Sequence, residues 1–247
     1  MTAPRPRPDP ASAPPSRRLL TLDEYYAFEE DNPVRHEYVR GEVFAMSPGV
    51  RRSHGKITMN VAAKLYKAAG DGPCRVYQES VKVQIGDVVY YPDVMAACGP
   101  EPENPYVEDA PCFLAEVLSR STRVTDLRDK APNYRRLASL QLLLVVEQTA
   151  RRVSRYWRDE AGAWQLEELI GQGEIPVPCP TPPGGPLVLT LDDIYRGLTF
   201  PPPRRVREAP PEWGGEEVPA WMLEPAEEPP ADAAVPEHAP EPAGAEA

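Results

Sequence analysis

The chain has little cysteine and no long apolar run. These two absences exclude several classes of protein and of metal site. Its four cysteines occur without a CxxC motif or a neighbouring histidine, which supports neither a zinc site nor a thioredoxin motif. No apolar stretch approaches the ~20 residues of a membrane helix, and the first eighteen residues lack the apolar segment of a signal peptide. We therefore expect a cytoplasmic protein with reduced cysteines and no membrane contact. The cysteines are Cys74, Cys98, Cys112 and Cys179.

Proline, by contrast, is abundant and concentrates at the two ends of the chain. Residues 1–18 hold six prolines and four arginines with almost nothing to bury, which predicts a disordered arm. Residues 201–247 hold twelve prolines and eleven acidic residues against three arginines, which predicts a disordered acidic tail. The intervening residues 19–200 are enough for one domain with a sizeable core.

The formal charge of −11 is unevenly distributed along the chain. The tail contributes −8, the arm +3 and the core −6, and a negative core disfavours tight non-specific DNA binding. Residues 120–136 are nevertheless rich in arginine. This segment is either a local DNA-binding patch or the solvated face of a helix or strand. The tail could cover that patch, or bind an unknown protein through Trp213 and Trp221, or act only as a spacer.

The core alternates strands with a short helix and two longer ones, a pattern typical of a mixed α/β fold with a central sheet. Thr21 and Glu24 form a capping-box pattern before the short helix, and Gly41 marks the turn of a hairpin. Helical spacing of apolar residues predicts a long helix over 53–69, and a second, basic helix follows over 126–137. The remaining expected strands are 76–85, 88–98, 113–118, 142–146 and an antiparallel pair, 152–157 with 164–169.

Two carboxylates interrupt apolar, strand-like runs. Asp93 lies in the string Tyr-Pro-Asp-Val of residues 91–94, and Glu116 lies within residues 113–119. Burying an unpaired charge costs free energy, so each needs a cation, a hydrogen-bond network or a function. Together, on neighbouring strands, they predict a metal site. The simpler alternatives are a turn aspartate at Asp93 and, at Glu116, a buried glutamate paired with arginine or lysine.

Further landmarks follow in a specific order and spacing. They are the string His-Glu-Tyr-Val-Arg-Gly-Glu over residues 36–42, His54, the two carboxylate strings, Ser121 with Thr122, and Asp126 with Lys130 and Tyr134. Across residues 19–200 this series resembles the Uma2 family of the PD-(D/E)XK restriction-endonuclease-like superfamily. The resemblance implies a restriction-endonuclease-like central mixed sheet flanked by helices, with additional antiparallel strands. It also implies that Asp93 and Glu116 hold magnesium, which activates water for attack on a DNA phosphodiester.

Oxygen ligands suit magnesium, and manganese equally well. Besides Asp93 and Glu116, the carbonyl of Val117 could complete the protein ligands, with Glu42 or Glu37 as a third carboxylate. Glu42 is otherwise an exposed turn residue, and Glu37 a strand-surface residue. His54 either begins the first long helix or contacts substrate.

The superfamily lysine, expected two residues after the glutamate, is absent because Leu118 occupies its position. The resemblance makes Lys130 the substitute, with Lys82 as the rival and a surface helix lysine as the simpler explanation of Lys130. We therefore expect a magnesium-dependent endodeoxyribonuclease, and the fold also admits a homodimer that cuts two strands. The alternative is a non-catalytic nucleic-acid-binding or regulatory protein on the same scaffold, which the acidic core and the missing lysine motivate.

Overall fold

Four helices and thirteen strands form the part of the chain that the computed structural model describes, namely residues 18–30, 32–46, 49–119, 129–179 and 187–200. The helices are α1 (Leu22–Glu30), α2 (Arg52–Ala69), α3 (Ala131–Tyr134) and α4 (Leu191–Ile194). The strands are β1 (His36–Val39), β2 (Glu42–Ala45), β3 (Arg75–Gln78), β4 (Lys82–Ile85), β5 (Val88–Tyr90), β6 (Val94–Ala97), β7 (Val107–Glu108), β8 (Pro111–Leu118), β9 (Leu142–Glu147), β10 (Arg152–Arg158), β11 (Trp164–Ile170), β12 (Glu174–Val177) and β13 (Leu187–Thr190). The predicted tail, the arm except Arg18, and residues 120–128 of the basic segment lie outside the described residues.

The strands form three sheets. A six-stranded sheet has the order β11-β10-β9-β8-β6-β3, a five-stranded sheet has the order β2-β1-β5-β4-β7, and β12 pairs with β13. Most neighbouring strands are antiparallel, whereas β8 runs parallel to β9 and β4 runs parallel to β7. The fold is therefore mixed α/β, with a central mixed sheet flanked by helices and additional antiparallel strands, as predicted.

The six-stranded sheet is the centre of the core. The amphipathic α2 buries Ile57, Val61 and Leu65 against one face of that sheet. The other face packs against the five-stranded sheet and α3, where Tyr134 is fully buried. Strand β9, between these layers, is buried at every position, as its continuous apolar run predicts.

Several local predictions are confirmed. The side chain of Glu24 accepts a hydrogen bond from the Thr21 backbone N–H at 2.9 Å, while the Glu24 N–H donates to the Thr21 hydroxyl at 3.2 Å. Strands β1 and β2 form the expected hairpin, with Arg40 and Gly41 both at positive φ in its turn. Strands β10 and β11 form the other predicted hairpin.

The expected strands 76–85 and 88–98 are wrong as single strands. The first splits into β3 and β4 and the second into β5 and β6, and in each case the two halves join different sheets. Glu79, at φ 51°, lies in the first break, and Pro92 lies in the second. Burial does not alternate along these strands: β3 is half-buried throughout, and β4, β5 and β6 are buried at almost every position. The period of two holds for a strand in either sheet, so periodicity alone does not reveal a crossover. Asp93 therefore lies just before β6 rather than within a strand.

The expectation of reduced cysteines is wrong for this structure, in which Cys74 is bonded to Cys98 and Cys112 to Cys179. Pairing of β3 and β8 with β6 brings residues far apart in the sequence to one end of the sheet. Within the described residues, no helix has both the length and the apolar character needed to cross a membrane.

Candidate active site

One cavity of about 760 Å³ collects the residues predicted for the site. Its walls come from the β1–β2 hairpin, the start of α2, the Asp93 break and the carboxyl ends of β8 and β9. The predicted site residues on its surface are Glu37, Glu42, His54, Asp93, Glu116, Val117 and Lys130. Tertiary structure thus brings together side chains that span almost a hundred positions of sequence.

Asp93 is held against the strand that carries Glu116. Its Oδ2 accepts a hydrogen bond of 2.6 Å from the backbone N–H of Val117. The same oxygen lies 3.1 Å from Nε2 of His54, in the first turn of α2. Because Val117 directly follows Glu116, this bond fixes the aspartate beside the backbone of the strand that carries the second carboxylate.

Glu116 is almost fully buried in the middle of the sheet. The hydroxyl of Tyr134 donates a hydrogen bond of 2.5 Å to its Oε1, and Nζ of Lys130 lies 3.8 Å from the same atom. A buried carboxylate is tolerated when it has both a donor and a counter-charge. Glu116 is therefore a paired buried glutamate whose carboxylate also reaches the cavity.

Lys130 lies between two carboxylates. Its Nζ is 2.7 Å from Oε1 of Glu37, and it lies over the ring of Tyr90 at 5.6 Å. Only 6% of Lys130 is exposed, so the surface-lysine interpretation is wrong. The rival Lys82 lies elsewhere, over the rings of Tyr91 and Tyr106, where burial lowers its pKa.

The hairpin carboxylates Glu37 and Glu42 occupy different positions on the cavity. Glu37 is mostly buried and contacts Lys130, so it is not a strand-surface residue. Glu42 is exposed, at the end of the turn, and contributes to the cavity wall. Of the two candidates that the sequence leaves open, Glu37 is the one in direct contact with the site lysine.

Sequence reasoning missed Glu79. Its Oε1 lies 3.7 Å from Nδ1 of His54, and one ligand atom from each of His54, Glu79 and Asp93 falls within 4.8 Å of the others. Burial raises the pKa of Glu79, and the negative charge of Asp93 adds to this shift. The left-handed backbone that directs Glu79 here has no signal in the sequence.

Gln148 was also missed. This buried side chain accepts a hydrogen bond from the Ser53 hydroxyl at 3.0 Å and donates one to the Leu118 carbonyl at 2.9 Å. It thus connects the start of α2 to the end of β8 at the cavity wall. The available signal was a polar pair, Glu147-Gln148, directly after an entirely apolar run.

Comparison with known proteins matches residues 22–191 to the Uma2 family model, described as "Putative restriction endonuclease". The Synechocystis sp. protein slr1290, called uncharacterized, is 28% identical over 184 residues, which cover 73% of this chain and 94% of that protein. A second uncharacterized Synechocystis protein, sll1609, is 29% identical over 164 residues, covering 63% and 90% respectively. Among solved structures, "a putative nuclease belonging to DUF820" from Anabaena variabilis superposes with a TM-score of 0.57 at 19% identity. That match covers 71% of this chain and 97% of the Anabaena chain, and it establishes a shared fold.

Proposed function

Since the protein belongs to the Uma2 family, we propose that it is a nuclease that hydrolyses DNA phosphodiester bonds with a divalent cation, magnesium or manganese. The observation that carries this proposal is the convergence of Asp93, Glu116 and Lys130 on one cavity. Two carboxylates and the ammonium group of a lysine on the walls of one cavity are suited to holding a phosphate group and an attacking water.

The donor set fits a hard cation. Asp93 and Glu116 offer carboxylate oxygens, the carbonyl of Val117 offers a backbone oxygen, and Glu37 or Glu42 offers a further carboxylate. All five residues line the cavity. Magnesium and manganese prefer such oxygen ligands. When bound, the cation would lower the pKa of its water and neutralise charge on the phosphoryl oxygens.

The protein's own contacts hold these groups in place. The Val117 N–H orients Asp93, and the Tyr134 hydroxyl orients Glu116, so neither carboxylate has to reorganise before the reaction. Lys130 carries a positive charge in a site shielded from water, where it interacts more strongly with a phosphate than it would at the surface. We assign it the role of the lysine that Leu118 replaces.

The proposed substrate is DNA, and pairing of two protomers would allow both strands to be cut. A cytoplasmic location, where the chain would meet nucleic acid, belongs to the same proposal. The non-catalytic alternative uses the same cavity for binding and predicts no turnover, so one assay separates the two.

The test is cleavage of supercoiled plasmid by the purified full chain with magnesium, with manganese and with EDTA. We expect cleavage with either cation and none with EDTA. Asp93→Asn should reduce the rate at least about a hundredfold. The matched control is Asp71→Asn, at an exposed turn after α2, which should cleave like the unmodified protein. No cleavage with either cation, or equal cleavage by Asp93→Asn, would contradict the proposal.

A further inference from the structure

A second set of metal-ligating side chains lies at the other ends of β6 and β8 from the carboxylates. Cys98 follows β6 and Cys112 lies near the start of β8, whereas Asp93 precedes β6 and Glu116 lies near the end of β8. Cys74, just before β3, and Cys179, just after β12, join them through the two disulfides. Nothing in the nuclease proposal uses these four residues.

The two disulfides contact each other. The sulfur of Cys112 lies 3.7 Å from the sulfur of Cys98. The sulfurs of Cys98, Cys112 and Cys179 all lie within 4.8 Å of one another. Two disulfides that only tie strands together do not need to meet. The close approach of the Cys98, Cys112 and Cys179 sulfurs, with Cys74 bonded to Cys98, therefore points to a shared role.

We propose that the four cysteines, when reduced, bind one zinc ion as a structural site. Four thiolates around zinc form a tetrahedron with Zn–S distances of about 2.3 Å, which places neighbouring sulfurs about 3.8 Å apart. The separation of 3.7 Å between Cys98 and Cys112 already matches this value. Cys112 and Cys179 are buried, and a set of four protein ligands leaves no open position for a substrate. The site therefore holds β3, β6, β8 and β12 together rather than performing chemistry.

The disulfide-bonded form is the oxidised, metal-free state of the same site. A dithiol reductant, such as a thioredoxin-type protein or dithiothreitol, supplies two electrons to each disulfide and is itself oxidised to a disulfide. This yields four cysteine thiols, and zinc binding then releases their protons as the thiolates coordinate the metal. In the reverse direction, two equivalents of a disulfide oxidant such as oxidised glutathione accept two electrons each from the four zinc-bound thiolates. The two cysteine disulfides re-form, the oxidant leaves as four thiols after taking up four protons from water, and the ion is released.

The first test is the metal content of the full chain purified with a reductant, together with thiol titration after mild oxidation. We expect about one zinc ion per chain and its release as the two disulfides form. In the same reduced protein, cobalt should give the visible absorption and sulfur-to-metal charge-transfer bands of a tetrahedral four-thiolate site. Reduced protein that contains no zinc, or a cobalt spectrum of six oxygen and nitrogen ligands, would overturn the proposal.

Variants locate the ion. Cys112→Ser and Cys74→Ser should each reduce zinc binding by at least about tenfold. Asp93→Asn, in the cavity that contains the carboxylates, should retain the full zinc content and serves as the matched control. Zinc that persists in Cys112→Ser, or that is lost in Asp93→Asn, would place the metal elsewhere and overturn the assignment. The cobalt spectrum of the unmodified protein decides the question even where a cysteine variant folds poorly.

Discussion

Lys130 and Lys82 are both buried lysines that lie over tyrosine rings, but they differ in the carboxylates that they contact. Their exposed fractions are 6% and 8%, and each lies over a tyrosine ring. Only Lys130 contacts Glu37 and Glu116. Comparing variants of these two lysines therefore distinguishes a role in the site from the general effect of removing a buried lysine.

Replacing each lysine with methionine tests that distinction, because methionine retains most of the apolar stem. We expect Lys130→Met to lower the plasmid-cleavage rate at least about a hundredfold, since a fixed positive charge near the phosphate is lost. Lys82→Met should cleave at close to the original rate. Lys130→Arg should recover only part of the activity, because a guanidinium cannot occupy the position of an ammonium. If Lys82→Met loses activity while remaining folded by thermal melting, the lysine assignment is reversed.

At the scale of elements, α2 contributes to the candidate site and also to the hydrophobic core. Its first turn carries His54, and its later turns bury Leu65 against the six-stranded sheet. The packing of this helix thus fixes the distance between His54 and Asp93.

Truncating the buried face of α2 should therefore be costly. Leu65→Ala should lower the free energy of unfolding by about 2–5 kcal/mol, because a fully buried leucine leaves a cavity. Met59→Ala, on the same helix but 55% exposed, should change it by no more than about 0.5 kcal/mol. Urea denaturation of both variants provides the measurement. Equal losses in the two variants would contradict the burial that the structure assigns to this helix.

The short helix α4 depends on a capping box that is sensitive to pH. Thr190 and Asp193 exchange side-chain and backbone hydrogen bonds, and Lys64 on α2 contacts Asp193 at 2.9 Å. Burial acts to raise the pKa of Asp193, but the hydrogen bonds from Lys64 and Thr190 outweigh it and lower the pKa below its ordinary 3.8.

Asp193→Asn should lower the free energy of unfolding by about 1 kcal/mol at pH 7, as loss of a helix cap does. Since the pKa of Asp193 is lower in the folded chain, its stabilising effect is complete above the unfolded value and is lost as pH falls through the folded value. Urea denaturation between pH 7 and pH 3 should therefore show the two proteins converging at the acid end. A difference that stays constant down to pH 3 would contradict the assignment.

At the scale of the whole molecule, the predicted tail carries most of the net negative charge of the chain. Residues 201–247 carry −8 of the total −11. From charge alone, we expect this tail to be repelled by DNA and to compete with DNA for the arginine-rich residues 120–136.

Deleting residues 201–247 should strengthen DNA binding severalfold and make the affinity more dependent on salt, because more phosphate contacts become available. Fluorescence anisotropy of a labelled duplex, measured across a series of salt concentrations, tests this with catalysis blocked by EDTA. A chain of the same length whose tail acids are replaced by their amides is the matched control for charge. Unchanged affinity and salt dependence after deletion would remove this role for the tail.

Much of the fold follows from local patterns, and the errors follow from long-range pairing. The period of α2, the hairpin turn at Gly41 and the apolar run of β9 each predicted the correct element. The splits at Glu79 and at Pro92 were missed because the periodicity of a strand does not tell which of the two sheets it joins.

The residues of the candidate site also fall into two groups, those predicted from the sequence and those found only in the tertiary structure. The cost of burying Asp93 and Glu116 is readable from their apolar neighbours, and the resemblance of the whole series indicated Lys130. Neither choice required the neighbouring strands to be known. Glu79 and Gln148, by contrast, enter the site through a left-handed residue and through the parallel pairing of β8 with β9.

By itself, the sequence determined the α/β class and most of the elements, because these depend on periodicity. The order and spacing of its motifs carry the resemblance to the family, and the apolar neighbours of Asp93 and Glu116 mark these two as carboxylates that are costly to bury. Tertiary structure alone decided which side chains meet. It placed Glu37 rather than Glu42 against Lys130 and joined Asp93 to the N–H of Val117. It also brought the sulfurs of Cys98, Cys112 and Cys179 together. These contacts connect residues far apart in the chain, and their positions depend on which strands become neighbours.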